Sequence, residues 1–252
     1  MTISISNAEA IDHIRKAGSI IDGIFRRIEK MDLRQMRTID LNDRIDTLIR
    51  EGGGTPSFLN YRGFPKSCCI SLNNEVVHGI PDERRIKEGD LVKIDVGVTY
   101  GGYVTDAART YAAGDIAPEV RQLLTVTEQA LLNGIDAARA YNKISDISRA
   151  VQTIVEKNGY SVVRELTGHG VGRHLHEEPV IPNYVGGAPD VEIKPGMALA
   201  IEPMVNVGGY DIVTAANGWT IMTRDNSLSC HYEDTVLVME DCSANLTRLK
   251  EG

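Results

Sequence analysis

One long stretch of this chain occurs twice. Ile86-Lys-Glu-Gly-Asp-Leu-Val-Lys-Ile-Asp95 has a counterpart in Ile193-Lys-Pro-Gly-Met-Ala-Leu-Ala-Ile-Glu202. Both read Ile-Lys-x-Gly, then four residues, then Ile and a carboxylate. Thr47-Leu-Ile precedes the first copy and Thr153-Ile-Val the second, at nearly the same offset. Short repeats stack into solenoids, whereas one long repeat implies two related halves facing each other. Ile-Lys-x-Gly before a strand is a common turn, but the matching carboxylate makes coincidence the poorer reading. Pseudo-symmetry would bring Glu202 beside Asp95.

Each half reads as helix, helix, then strands. Residues 8–29 are expected to be helical behind an Asn7 N-cap, with Ile11, Ile14, Ala17, Ile20, Ile21, Ile24 and Ile28 at helical spacing. A second helix is expected over 40–51, ended by Gly52 to Gly54. Helices at 118–140 and 144–157 follow, the latter stopped by Asn158-Gly159. Strands are expected at 68–72, 161–165, 198–207, 219–223 and 231–240. The halves are expected to run over about residues 8–112 and 113–245, within a single domain with no linker or extra domain.

The first copy of the repeat continues into a hairpin. Residues 91–98 are rich in β-formers, Thr99 to Gly102 is turn chemistry, and 103–111 suits a return strand. If that turn pairs Val98 with Tyr103, Asp95 lies directly opposite Asp106 on one face. Two like charges so placed destabilise the pair unless a shared proton or a cation offsets them. In the second half Glu233 sits in the strand-forming run His231-Tyr-Glu-Asp-Thr-Val-Leu-Val-Met and takes the part of Asp106. Four converging carboxylates in a partly buried site would be prohibitive without a divalent metal. Gly168-His-Gly-Val-Gly-Arg-His-Leu-His-Glu-Glu-Pro179 offers nitrogen donors at His169, His174 and His176, in a loop too glycine-rich for a helix. The glycines beside His169 allow a close backbone approach. A carboxylate-rich set with one histidine fits a single tetrahedral zinc poorly and a pair of divalent ions sharing a water well.

Composition removes other classes. The net charge of −8 argues against a surface built to bind nucleic acid. The first seven residues lack a basic and apolar leader, and no apolar run approaches a membrane span, so a cytoplasmic location is expected. Cys68, Cys69, Cys230 and Cys242 form no Cys-x-x-Cys pair and are expected reduced.

At this point a resemblance becomes specific. The chain resembles the type I methionine aminopeptidases, whose α+β pita-bread fold is shared with prolidase, aminopeptidase P and creatinase: two pseudo-symmetric halves with a curved antiparallel sheet covered by helices. The motifs are Tyr61-Arg-Gly-Phe-Pro-Lys-Ser67, Val77-His-Gly-Ile-Pro81, Asp95 and Asp106, Gly168-His-Gly-Val-Gly172, His176-Glu-Glu-Pro179, Ile201-Glu-Pro-Met-Val205 and Tyr232-Glu233. The resemblance covers nearly the whole chain. It implies removal of the initiator methionine from nascent chains and peptides with a small second residue, by attack of a metal-bridging hydroxide. It implies two divalent ions (cobalt, manganese, iron or zinc) held by Asp95, Asp106, His169, Glu202 and Glu233, with Asp106 and Glu233 bridging. By the same resemblance Glu202 shuttles a proton, His176 steadies the oxyanion, and His78 contacts the scissile amide nitrogen. The resemblance also implies that Tyr61, Phe64, Cys69, Leu175 and Trp219 line the methionine pocket, with Phe58 a weaker candidate. A monovalent cation, sodium or potassium, is implied near Asn73 and Ser229.

Taken singly, several of these residues have plainer readings. His78 alone is a turn histidine, and aromatics are ordinarily core. His174 is assigned no role, His231 is expected on a strand surface, and Cys68 is expected buried or inert. The sequence departs from the family pattern at Phe64, Leu175, Phe58 and Cys230-His231. Peptide and nascent-chain N-termini are the expected partners, with transient ribosome contact, no specific nucleic acid, no membrane and a monomeric state. Proline-directed aminopeptidases and dipeptidases of the same fold are the nearest alternative; a catalytically silent binding module is the other. Only 33 positions separate His169 from Glu202, which suits type I rather than the inserted type II.

Overall fold

The computed structural model describes residues 7–249, so the reading of residues 1–6 as lacking a leader lies outside it. The first helix, α1, spans Ala8–Ile28. Asn7 caps it by accepting from the Ala10 N–H at 2.9 Å. Ile14, Ala17, Ile21 and Ile24 form its buried face, each isoleucine contributing about 2 kcal/mol by leaving water. Helix α2 spans Thr38–Glu51 and so starts two residues before the expected Asp40. The reason is tertiary: the N–H groups of Thr38 and Ile39 donate to the carbonyls of Arg84 and Asp82, both at 2.9 Å. The first-turn donors therefore find partners the local sequence does not advertise. Helix α3 spans Pro118–Ala137 and α4 spans Ile144–Lys157.

Every ladder among the described strands is antiparallel. In the first half Leu91–Tyr100 is flanked by Tyr103–Ala112 on one side and by Cys69–Leu72 and Thr55–Pro56 on the other. In the second half five strands run in the order Ser243–Asn245, Asp234–Val238, Ala198–Ile201, Thr167–Gly170, Glu177–Pro182. A bridge between Ala108 and Glu233 joins the two. Helices α1 and α2 bury Ile21, Ile24, Ile45 and Ile49 against Ile94 and Val96 of the first sheet. Helices α3 and α4 bury Leu131, Ile147 and Val151 against Leu199 and Val236 of the second. The helices thus cover one side of each half, leaving the strand positions beside the bridge to face each other.

Two expected strands are broken, each beside a site carboxylate. The run over 198–207 divides into Ala198–Ile201 and Met204–Asn206. Pro203, which has no N–H to give a ladder, sits in the gap with Glu202. The run over 231–240 divides into Ser229–His231 and Asp234–Val238, with Tyr232 and Glu233 between them. The expected 219–223 strand shrinks to Ile221–Thr223, and 161–165 to Ser161–Val162.

Candidate metal centre and pocket

The hairpin register sets out the first two carboxylates. Its loop is only Gly101-Gly102, with φ of 57° and 80°, which is the geometry of a tight two-residue turn. Tyr100 therefore pairs with Tyr103, Gly97 with Asp106, and Asp95 with Ala108. This corrects the expected register: Asp95 and Asp106 are diagonal neighbours on one face, not directly opposite. Glu233 joins them through paired backbone bonds to Ala108, its N–H donating at 2.9 Å and its carbonyl accepting at 3.2 Å.

His169 lies on the Thr167–Gly170 strand, not in a loop. Its flanking glycines do allow the expected close approach. A Cβ on Gly168 would stand 2.4 Å from the Ala200 carbonyl oxygen, and one on Gly170 2.3 Å from that of Glu178. His169 Nδ1 donates to the Gly170 carbonyl at 3.0 Å, which leaves Nε2 with a free lone pair. That nitrogen is 3.6 Å from Glu202 Oε1.

The donors form two overlapping groups. Ligand atoms of Asp106, His169 and Glu233 lie within 4.8 Å of one another, as do those of Glu202, His231 and Glu233. Asp95 Oδ1, Asp106 Oδ1 and Glu233 Oε1 are buried without a hydrogen-bond partner. Burial, followed by the charges of Asp106 and Glu202, holds the carboxyls of Asp95 and Glu233 well above the ordinary range. Burial and then Asp106 do the same to Glu202. Desolvation pushes Asp106 up to about 7 and His169 down to about 4. Buried acceptors that repel one another and lack donors are what divalent cations satisfy, so the residues present fit such ions.

These donors line a cavity of about 330 Å³. Phe58, Phe64, Cys69 and Leu175 form a buried apolar cluster along it, with Tyr61 and Trp219 packed against them. The rings of Phe64 and Trp219 meet edge-on at 5.2 Å. His78 and His176 also line the cavity. Tyr61 Oη is 2.8 Å from His176 Nδ1, and the His176 ring lies 4.3 Å from that of His169. Desolvation and then the neighbouring His169 lower the pKa of His176. Cys68 is buried, and burial raises its thiol pKa.

Two expectations meet a different arrangement. His231 is not on a surface: it is 1% exposed and faces Glu202 and Glu233. The signal was the spacing His231-x-Glu233, because residues two apart on a strand share a face. The place expected for a monovalent cation holds a side chain. The carbonyls of Asn73 and Ser229 accept from Lys93 Nζ at 2.7 and 3.0 Å, so a fixed ammonium fills it. Desolvation lowers Lys93 to about 8. Val77, Met204 and Arg62 line the cavity too; each stands inside a motif quoted above but was given no role there.

The family model for metallopeptidase family M24 matches residues 12–240. The chain belongs to metallopeptidase family M24. Among M24 relatives, it is similar to a methionine aminopeptidase of Clostridium perfringens, with 42% identity over 98% of this chain and 100% of that one. In three dimensions it is similar to a methionine aminopeptidase of Thermotoga maritima at a TM-score of 0.95 and 36% identity, covering 98% of this chain and 100% of that one. It is also similar to the prolidase of Pyrococcus furiosus at 0.78 and 25% identity, covering 98% of this chain but 66% of that one. The M24 chain therefore has the pita-bread fold. No described helix is long and apolar enough to cross a membrane.

Proposed function

We propose that this M24 chain is an aminopeptidase that removes the N-terminal methionine of peptides and nascent proteins with a small second residue. One juxtaposition carries the reading. A carboxylate and imidazole cluster and a buried apolar cluster line one cavity of about 330 Å³, in a chain similar over 98% of its length to a methionine aminopeptidase. Asp95, Asp106, His169, Glu202 and Glu233 would hold two divalent ions, with availability choosing among cobalt, manganese, iron and zinc. When bound, these supply Lewis acidity and a water activated near neutral pH.

The protein's own groups do the rest. Phe64, Cys69, Leu175 and Trp219 receive an unbranched thioether side chain, which packs well against aromatic edges. His176 presents Nε2–H towards the cavity when the Tyr61 hydroxyl donates to Nδ1, and that N–H steadies the developing oxyanion. His78, which lines the cavity, would contact the amide nitrogen of the departing chain. Glu202 would take up a proton and hand it on.

The test uses metal-stripped protein reloaded with manganese, iron, cobalt or zinc and offered Met-Ala-Ser and Ala-Pro-Ala. Release of methionine from the first peptide alone is expected. Cleavage of the second alone would move the chain to the proline-directed relatives and defeat the proposal.

A further inference from the structure

His231 has no part in the five-residue donor set, yet it is built into the same centre. Both its ring nitrogens are buried and without a hydrogen-bond partner. Nε2 lies 3.7 Å from Glu202 Oε2 and 3.9 Å from Glu233 Oε2. Those separations are too long for hydrogen bonds. They suit a shared cation: two atoms each about 2.1 Å from one ion stand up to about 4 Å apart. Glu202 is flanked on its other oxygen by His169 Nε2 at 3.6 Å, so each of its oxygens faces an imidazole.

The sheet fixes this placement. Met204 pairs with His231, which sets the ring beside the break that carries Glu202. Glu233 follows two residues later, past the end of the Ser229–His231 strand. A core histidine with only a packing role would have at least one nitrogen satisfied, and this one has neither.

We propose that His231 is an additional nitrogen ligand of the metal centre, holding a divalent cation together with Glu202 and Glu233. The inference rests on the metal-centre reading above and deepens it. A second imidazole tilts the centre towards ions that favour nitrogen, such as zinc, cobalt and iron, and away from manganese.

The experiment loads stripped protein with cobalt and counts contact-shifted histidine ring resonances in the proton spectrum, alongside a cobalt titration. Wild type should show two sets, from His169 and His231. His231→Gln should lose one set and bind one equivalent of cobalt at least tenfold more weakly, with an unchanged circular dichroism spectrum. The wild-type count stands without any variant, so misfolding of His231→Gln leaves the proposal falsifiable. His169→Gln, losing the other set, assigns the remainder. Cobalt bound with a single set in wild type, or both sets persisting in His231→Gln, overturns the role of His231 alone. A protein that takes up no cobalt overturns the metal centre and this inference with it.

Discussion

Glu233 is 2% exposed and feels the charges of Asp106, Glu202 and Asp95. Without a cation such a carboxyl stays in the fold only by keeping its proton or by destabilising its surroundings. Glu233→Gln removes that burden while keeping the shape. In chelator the variant should unfold at a higher temperature than wild type, by the equivalent of about 1–2 kcal/mol. Methionine release should fall by a factor of about 1,000 or more. A variant that is less stable in chelator, or that keeps full activity, contradicts the place given to Glu233. The carboxylates were legible in sequence because Asp95 and Glu202 end the two copies of one repeat, and Asp106 and Glu233 sit in the strand-forming runs that follow them. His231 was not, because an imidazole between Cys230 and Tyr232 passes for surface until Glu233 fixes which face is inside. Lys93 was unreadable for a different reason: its partners are backbone carbonyls 20 and 136 positions away.

The four helices were legible in place because their apolar spacing is local, although α2 begins at Thr38 rather than 40 and α3 ends at Ala137 rather than 140. Helix α4 spans Ile144–Lys157 as its pattern predicts. Strand ends were not. A run of β-formers shows where a strand is possible, but the breaks at Glu202 and at Tyr232–Glu233 follow from the neighbouring strands and from Pro203. The hairpin register was missed because four turn-forming residues were read as the loop, while the two glycines alone close it. Backbone proximity at the His169 strand gives a prediction at this scale. Gly168→Ala places a Cβ 2.4 Å from the Ala200 carbonyl oxygen, so the strands must part and His169 must shift. The expected cost is about 2–4 kcal/mol of stability, read by thermal unfolding. Metal affinity should fall at least tenfold, read by titration. Wild-type affinity in the variant would show that strand contact does not position His169.

At the scale of the molecule, two helix-covered halves present their site-bearing strands to a shared centre, and the charge gathered there couples the fold to its ions. Asp106, raised to about 7 by burial, binds more protons folded than unfolded. Its share of the stability of metal-free protein should therefore fall as pH rises from about 4, where the unfolded carboxyl titrates, towards 7, and level off above that. Divalent ions compete with those protons, so uptake near pH 7 should release protons and tighten from pH 6 to 8. Calorimetry in two buffers of different ionisation heat reads the release directly; no difference between the buffers would contradict it. The most direct measurement titrates stripped protein with manganese while bound metal and methionine release from Met-Ala-Ser are followed on the same samples. Activity should be absent in stripped protein and rise in step with bound metal at this centre. Undiminished methionine release with no metal bound would contradict the account.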